Sequence, residues 1–282
     1  MNPLGLHALV WTGEWTPESA RHAIEQTKAV GFDLIEIPIL EPETFDIAMT
    51  RQLLADNGLL AACSLGLSAD TDVASEDPAV VARGRDRLSA AIEVASGIGA
   101  GNLCGVLYSQ LAKYPAPITA RSRQHVVESV SWLSDQVSAA GLPTSLEVVN
   151  RYESHVVNTV ADMLTLLDEA DADITVHLDT YHANIEENGF IEPIETAGDR
   201  LGYVHVGESH RGYLGTGTID FPTFFAALRE SGYAGPVTFE SFSSAVVHPE
   251  LSNILSVWRN LWDDSQNLAE HAHAYMAEHL LS

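Results

Sequence analysis

The amino-acid sequence predicts an α/β protein with one domain, a closed barrel of eight strand–helix units followed by an additional C-terminal helix. Short apolar runs typical of strands alternate with amphipathic stretches typical of helices along the whole chain. Such alternation is typical of a parallel sheet covered by helices. About eight repeats within 282 residues match the size of one (β/α)8 barrel.

The strand-like runs are short and rich in apolar residues. In chain order they cover 6–11, 33–39, 59–67, 102–108, 144–149, 173–179, 201–207 and 235–241. The clearest amphipathic stretches between them are 17–30, 78–97, 119–140, 157–170, 221–231 and 250–262. The run 265–281 predicts the C-terminal helical extension, which we expect to pack on the barrel or on a partner subunit.

Capping residues support several of these helices. Thr16 and Pro17 are typical of an N-cap and a first helical position. Glycines at the C-terminal ends of four helices, each just before a strand, predict left-handed caps: Gly31, Gly58, Gly141 and Gly232.

The alternative architecture is an open doubly wound sheet. That fold usually carries a phosphate-binding glycine turn after an early strand. No G-x-G-x-x-G follows the first strand-like run of this chain. We therefore predict a TIM barrel that spans 1–282 as a single domain, with the helical extension at about 265–281.

Composition excludes several functional classes. The net charge of −25, from 39 acidic and 14 basic residues, disfavours nucleic acid and anionic lipid as partners. No window approaches 18 uninterrupted apolar residues, so we expect no membrane span. Cys63 and Cys104 lie in apolar strand-like runs, which is typical of buried thiols in a reduced compartment, and we expect a cytoplasmic protein.

Polar residues end four consecutive strands. Glu147, Asp179, His205 and Glu240 end the fifth to eighth runs, and the ends of barrel strands carry the chemistry in this fold. Each has an ordinary explanation by itself, as a salt-bridge partner, a turn former or a core histidine. Together, three carboxylates at one rim would repel one another, and a divalent cation removes that conflict. Oxygen donors with one imidazole suit Mn²⁺, Mg²⁺ or Co²⁺.

Other polar and aromatic residues have two readings. His177 shares a strand face with Asp179, so we expect it beneath the metal rather than on it. Glu36 and His7 lie in or at the end of early strands, where a pocket position and a core position are about equally expected. Three aromatic residues are candidates for apolar pocket walls, with core packing at least as expected: Trp11, Trp15 and Tyr108.

Several motifs resemble one enzyme family. "LEVVNRYESHVVNT", "HLDTYHANIEE", "YVHVGESHRGYLGTGTIDF" and "VTFESF" resemble the ketose 3-epimerases, the group that includes D-tagatose, D-allulose (D-psicose) and L-ribulose 3-epimerases. "LVWTGEW", "SLGLS" and "SVWRNLWDD" extend the resemblance over essentially the whole chain.

The resemblance implies a set of site residues and an assembly. It implies one divalent ion per subunit, Mn²⁺, Mg²⁺ or Co²⁺, and a homo-dimer or homo-tetramer. The implied metal ligands are Glu147, Asp179, His205 and Glu240, and the implied substrate contacts are Glu153, His182 and Arg211. Gly66 and the segment 108–114 occupy positions that vary in the family, so they bear on sugar preference rather than on the type of reaction.

The implied reaction is metal-dependent epimerisation at C3 of free ketoses, such as D-fructose/D-allulose or L-ribulose/L-xylulose. The C3 proton is α to the C2 carbonyl, so its removal yields an enediolate that the metal stabilises. Inversion requires bases on both faces, and Glu147 and Glu240 are the candidates. The "GTGT" segment at 215–218 has two interpretations, a phosphate-binding loop and a tight turn, and the tight turn is favoured.

Three other functions would use a barrel of this kind. An aldose–ketose sugar isomerase on the same scaffold would use similar residues and is the alternative. A metal-dependent endonuclease should have a basic groove, which the charge of −25 disfavours. A non-catalytic sugar-binding protein should lack one of the two opposed glutamates.

Overall fold

The computed structural model describes residues 2–247 and 249–281 and confirms the predicted barrel. The predicted domain bounds, 1–282, include three residues outside the described part: 1, 248 and 282. Eight parallel strands form a closed barrel in the order β1 to β8. They are β1 Leu4–His7, β2 Leu34–Pro38, β3 Leu60–Leu67, β4 Leu103–Gln110, β5 Thr144–Glu147, β6 Thr175–Asp179, β7 Leu201–Val206 and β8 Val237–Phe239.

Helices cover the outside of the barrel. They are α1 Pro17–Val30, α2 Ile47–Asn57, α3 Pro78–Ile98, α4 Ala120–Ala140, α5 Val160–Glu169, α6 Thr180–Glu186, α7 Ile191–Ala197, α8 Phe221–Glu230, α9 Pro249–Ile254 and α10 Ser265–Leu281. Single 3₁₀ turns occupy Ala8–Val10, Pro42–Thr44 and Gly198–Arg200. The sequence pattern does not predict α6 and α7, because helices of seven residues show too little periodicity.

The predicted caps of α1 are present. The Thr16 hydroxyl accepts a hydrogen bond from the Ser19 backbone N–H, and the Ser19 hydroxyl accepts one from the Thr16 backbone N–H. Gly31 ends the helix at φ +110°, and its N–H donates to the Lys28 carbonyl. A side chain at this position would be strained, which explains the glycine.

The predicted helix at 250–262 is wrong in its second half. Helix α9 ends at Ile254, and Ser256 adopts a left-handed conformation at φ +55°. The Val257 N–H donates to the Ser252 carbonyl at 2.8 Å, and the Ser256 N–H donates to the Asn253 carbonyl at 3.3 Å. These are the two bonds of a Schellman cap, which terminates the helix although the apolar pattern continues.

The C-terminal helix packs on the barrel. Helix α10 contacts α1 and α8, so it covers the seam where the first and last units meet. His273 Nε2 lies 3.2 Å from the Gly31 carbonyl, next to the left-handed cap of α1. Within 2–247 and 249–281, no helix is both long enough and apolar enough to cross a membrane.

Gly105 allows β3 and β4 to pack closely. Its φ is +110°, and a Cβ atom built there would lie 2.3 Å from the Leu65 carbonyl oxygen, which belongs to the backbone. Neither the conformation nor the contact can be relieved by a change of side-chain rotamer. The position therefore requires glycine for two independent reasons.

Gly105→Ala is expected to lower the free energy of unfolding by about 3 kcal/mol or more, from backbone strain plus overlap. Urea unfolding followed by circular dichroism measures this loss. Gly58→Ala is the matched control, because Gly58 has φ +56° and no atom within 4 Å of the added Cβ. Only the left-handed conformation is penalised there, at about 1 kcal/mol. Equal losses in the two variants would show that the contact with Leu65 is unimportant.

Candidate functional site

A cavity of about 430 Å³ opens at the carboxyl ends of the strands. Its lining is mostly apolar, with side chains such as Leu67 and Phe242, and includes the polar side chains of Glu147, His205 and Glu240. The size suits a small organic ligand, which a few convergent polar groups would orient. The cavity is therefore the candidate functional site of the barrel.

Strand register brings the predicted metal ligands to one end of the barrel. Asp179 pairs with His205 across β6 and β7, and Glu240 directly follows β8. Ligand atoms of Asp179, His205 and Glu240 lie within 4.8 Å of one another. Glu147 belongs to an overlapping group with Asp179 and His182 at the same spacing. Asp179, His205 and Glu240 thus form one cluster. Glu147 belongs to a second group, and Asp179 is common to both.

The contacts of the His205 ring indicate whether a cation fits this cluster. Its Nε2 atom lies 2.6 Å from Glu36 Oε2. Its buried Nδ1 atom lies 3.5 Å from Glu240 Oε1 and has no hydrogen-bond partner in the described part of the chain. A histidine that bonds a carboxylate through one nitrogen and leaves the other free is the usual arrangement of a metal ligand. Together with the carboxylates around it, this ring fits a divalent cation with oxygen and nitrogen ligands.

Burial and charge shift the pKa values of the site. Burial lowers the pKa of the His205 imidazole, but the carboxylates of Glu36 and Glu240 outweigh it and raise that pKa to about 10. Burial raises the pKa of Glu240 to about 7, against the opposing effect of Arg211. Burial lowers the pKa of His7 to about 4, so this ring is neutral. The cluster of carboxylates therefore attracts positive charge, as a proton or as a cation.

Arg211 reaches the site from a strained turn after β7. Its φ is +63°, its N–H donates to the Glu208 carbonyl at 2.8 Å, and its carbonyl accepts from the Ser241 hydroxyl at 2.5 Å. The guanidinium forms a salt bridge with Glu240 and lies 3.4 Å from Asp179 Oδ2. A left-handed arginine persists only where the surroundings enforce it, and such positions cluster at functional sites.

Two aromatic rings hold the Arg211 guanidinium. Its central carbon lies 3.8 Å from the centre of the Tyr181 ring and 5.0 Å from that of Phe242. Contacts of this kind stabilise a partly desolvated cation. Both rings were missed by sequence reasoning, although each comes within two residues of a predicted ligand, Asp179 or Glu240.

Asn150 orients two of the predicted substrate contacts. Its backbone N–H donates to His182 Nδ1 at 3.1 Å, and its side-chain amide donates to Glu153 Oε1 at 3.0 Å. The proton of His182 is thereby placed on Nε2, which lies 3.5 Å from Glu147 Oε1 and 3.6 Å from Asp179 Oδ2. Asn150 was also missed, because its contacts with His182 form only when the loop after β5 folds.

A buried polar layer lies beneath the carboxylates. Glu36 is fully buried, and its Oε2 atom accepts a hydrogen bond from the Tyr203 hydroxyl at 2.9 Å. His177, expected beneath the metal, packs edge-on against His205 with ring centres 4.1 Å apart. Glu36 and His7 line the cavity, whereas His177 lies below it.

The expected aromatic walls pack elsewhere. Trp11 donates through its indole N–H to the Thr27 hydroxyl at 2.9 Å, behind helix α1. Trp15 stacks on Phe45, and the Tyr108 hydroxyl donates to the Glu147 carbonyl at 2.7 Å. Among the described residues that line the cavity, Trp11, Trp15 and Tyr108 do not occur. Trp11 and Tyr108 are buried in the core and Trp15 is partly buried against it, which matches the alternative expectation of core packing.

The "GTGT" segment forms a turn around the carboxylate of Glu208. Oε2 of Glu208 accepts from the Gly215 N–H at 3.0 Å, and Oε1 accepts from the Ser209 N–H at 2.7 Å. A Cβ atom at Gly217 would lie 2.2 Å from Glu208 Oε1, so the carboxylate fills the turn. The backbone donors that a phosphate would need are thus engaged by an internal anion.

Comparisons with known proteins agree with this geometry. The family model described as "Xylose isomerase-like TIM barrel" matches residues 24–276. The L-ribulose 3-epimerase of Methylomonas sp. (strain DH-1) is 53% identical over 266 residues, which cover 94% of this chain and 93% of that protein. The ketose 3-epimerase of Arthrobacter globiformis is 49% identical over 278 residues, which cover 98% and 96% respectively. The crystal structure of D-allulose 3-epimerase from Methylomonas sp. in complex with D-allulose has a TM-score of 0.96 at 50% identity, covering 99% of this chain and 97% of that one.

Proposed function

We propose that the protein inverts C3 of free ketoses. The premise is that the chain belongs to the ketose 3-epimerases of the xylose isomerase-like TIM barrel family. The family resemblance drawn from the sequence is thereby confirmed, and the protein is an isomerase. The proposed substrates are pairs such as D-fructose/D-allulose and L-ribulose/L-xylulose, in line with the sugars that the relatives' names contain.

One observation carries the proposal: two carboxylates enter the cavity from different sides. Glu147 ends β5 and Glu240 follows β8, with β6 and β7 between them, and both side chains line the cavity. An aldose–ketose isomerase moves a proton between neighbouring carbons and can do so with one base on one face. Inversion at a single carbon needs a base on each face, so the opposed pair favours epimerisation.

The proposed step is a proton transfer across C3. One glutamate removes the C3 proton, and the electron pair of that bond forms a C2–C3 double bond as the C2 carbonyl becomes an enediolate oxygen. The other glutamate donates a proton to the opposite face of C3, which restores the carbonyl. Glu147 and Glu240 exchange roles when the reaction runs in reverse.

The proposed cofactor is one divalent ion per subunit, Mn²⁺, Mg²⁺ or Co²⁺. Glu147, Asp179, His205 and Glu240 would hold it, and it would supply Lewis-acid stabilisation of negative charge on the substrate oxygens. Asp179 would act only as a ligand in this scheme, and its Oδ1 atom accepts the Tyr181 N–H at 2.8 Å. That bond fixes the carboxylate and leaves Oδ2 directed at the cluster.

Three side chains would orient the sugar. His182 presents its Nε2 proton, Arg211 its guanidinium donors and Glu153 a carboxylate acceptor, and all three line the cavity. Hydrogen bonds from these groups to O1 and O2 would align the C3–H bond with its base. The lining near Gly66 and Leu67 also includes the polar side chains of Ser64, Ser68 and Gln110, so both polar and apolar groups are available to the end of the sugar chain.

The charges around the cavity favour an unphosphorylated sugar. Two arginines occur among its described lining residues, Arg87 and Arg211. Arg87 lies 3.0 Å from Glu43, and Arg211 faces the carboxylates of the site. Neither is free to bind a phosphate, and the turn at 215–218 is filled by Glu208.

The proposal predicts a specific product and label. With D-fructose and Mn²⁺ in D₂O, the protein should form D-allulose carrying deuterium at C3, because the donated proton comes from a glutamate that exchanges with solvent. Chromatography identifies the sugar, and NMR locates the label. D-fructose 6-phosphate is the matched control and should react at least about a hundredfold more slowly, a barrier difference of about 2.7 kcal/mol.

Two results would contradict this proposal. Formation of an aldose with deuterium at C1 or C2 would assign the protein to the aldose–ketose isomerases. Equal turnover of the phosphorylated and free sugars would refute the inferred preference. The homo-dimer or homo-tetramer and the cytoplasmic location stay predictions from the sequence.

A further inference from the structure

Glu36 is a fully buried carboxylate of the site, and two histidines and a tyrosine surround it. It lies on β2, separated by β1 from the strand that Glu240 follows, and it is 0% exposed. Its Oε2 atom lies 2.6 Å from His205 Nε2 and accepts the Tyr203 hydroxyl at 2.9 Å. Its Oε1 atom lies 3.3 Å from His7 Nε2. A buried carboxylate is costly unless several donors satisfy it, so this position calls for a reason.

The His205 ring is fixed by its neighbours. Ring centres of His177 and Tyr203 lie 4.1 Å and 5.6 Å from it, at interplanar angles of 87° and 66°. Rotation of the imidazole would break the contact with Glu36 and disturb both edge-on contacts. The ring therefore has one orientation, in which Nε2 faces Glu36 and Nδ1 faces Glu240, 3.5 Å away.

The remaining variable is which ring nitrogen carries the proton when the imidazole is neutral. A carboxylate accepts hydrogen bonds and cannot donate them, so it favours a proton on the nitrogen that faces it. Nε2 then carries hydrogen, and Nδ1 keeps its lone pair directed at Asp179 and Glu240. A charge-assisted bond of this kind also increases the basicity of the opposite nitrogen.

We propose that Glu36 is a positioning residue: when a divalent ion displaces the Nδ1 proton of His205, Glu36 holds the remaining proton on Nε2 and so keeps Nδ1 directed at the ion. The inference rests on the metal centre of the proposed function. Glu36 touches neither the ion nor the sugar in this scheme and acts only through the ring of His205. Its effect should therefore be visible in metal affinity before any sugar is added.

Glu36→Gln tests the proposal with little change of shape. The amide keeps the volume of the side chain but removes its charge, so binding of Mn²⁺ to the metal-free protein should weaken by about tenfold to a hundredfold. Isothermal titration calorimetry measures the dissociation constant. Circular dichroism and the urea midpoint establish that the variant is folded.

Tyr203→Phe is the matched control. It removes another hydrogen bond to the same Glu36 oxygen while leaving the bond between Glu36 and His205 in place. Its Mn²⁺ affinity should stay within about threefold of the unmodified protein. The proposal would be overturned if Glu36→Gln bound Mn²⁺ as tightly as the unmodified protein. It would also be overturned if both variants lost Mn²⁺ affinity equally, because the charge of Glu36 would then have no specific effect on metal binding.

A measurement on the unmodified protein does not depend on how the variants fold. Nitrogen-15 NMR of the Mg²⁺-loaded protein should show His205 protonated at Nε2 and unprotonated at Nδ1. The opposite tautomer would overturn the proposal. Failure of the unmodified protein to bind any divalent ion would instead refute the metal centre itself, so the two failures are distinguishable.

Discussion

Glu147→Gln and Glu240→Gln are each expected to lower kcat/KM for ketose epimerisation by at least about a thousandfold, or about 4 kcal/mol in barrier. Glutamine nearly matches glutamate in shape but cannot accept the C3 proton. Because the two carboxylates belong to strands on different sides of the cavity, neither can replace the other. Steady-state assays in both directions measure the loss.

Exchange of deuterium from solvent distinguishes the roles of the two bases. With one base missing, the remaining glutamate can still remove the C3 proton of the epimer that presents it on that face. Each variant should therefore exchange deuterium into only one of two epimers, and the two variants should exchange opposite ones. NMR of D-fructose and D-allulose incubated separately in D₂O detects this.

Glu153→Gln is the control for these variants. Glu153 lines the same cavity but is proposed to bind the sugar, so its loss should raise KM more than it lowers kcat. Turnover within about tenfold of the unmodified protein in either base variant would refute the two-base scheme. Exchange of the same epimer by both variants would refute it as well.

Removal of divalent ions is expected to abolish activity, and Mn²⁺, Mg²⁺ or Co²⁺ should restore it. The carboxylates gathered at the cavity need positive charge, and the single guanidinium of Arg211 faces several of them. Dialysis against a chelator, metal analysis and assays after addition of each ion test this. Full activity in the chelated, metal-free protein would refute the metal centre.

Asp179→Asn should prevent this restoration. Asp179 caps α6 by accepting the Tyr181 N–H, and asparagine caps helices about as well, so the fold should be preserved. Loss of a directly coordinating charge should weaken Mn²⁺ binding by more than about a hundredfold, the upper limit for outer partners of metal ligands. Calorimetry on the metal-free variant measures the change.

Asp77→Asn is the matched control for that substitution. Asp77 caps α3 in the same way, with its carboxylate accepting the Ala79 N–H at 2.8 Å, and it does not line the cavity. Its Mn²⁺ affinity should equal that of the unmodified protein. A similar loss in both variants would mean that helix capping, rather than charge at the site, governs the affinity.

Much of the site follows from strand order. In a parallel barrel, residues that end consecutive strands must meet at one rim, so Glu147, Asp179, His205 and Glu240 could be grouped before any coordinates were known. Packing partners could not be assigned in this way. His205 bonds Glu36, which is 169 positions away in the sequence, because closure of the barrel brings β2 and β7 together across its interior.

The conformations of loops and helix ends were the features least predictable from the sequence. Arg211 was placed in the site by resemblance, but its left-handed backbone is held by bonds to Glu208 on its own loop and to Ser241 on the loop after β8. The end of α9 at Ile254 depends on a cap at Ser256, a residue with no sequence preference for that conformation. Asn150 orients His182 through contacts that only the folded loop creates.

By itself the sequence determined the alternation of strands and helices, the parallel barrel and the rim on which the charged residues lie, since local hydrophobic periodicity and chain direction are properties of the chain. Only the tertiary structure decided which nitrogen of His205 faces inward, what neutralises Arg211 and which anion fills the turn at 215–218. Those outcomes depend on distances between residues far apart in sequence, which are set when the barrel closes and its interior side chains pack.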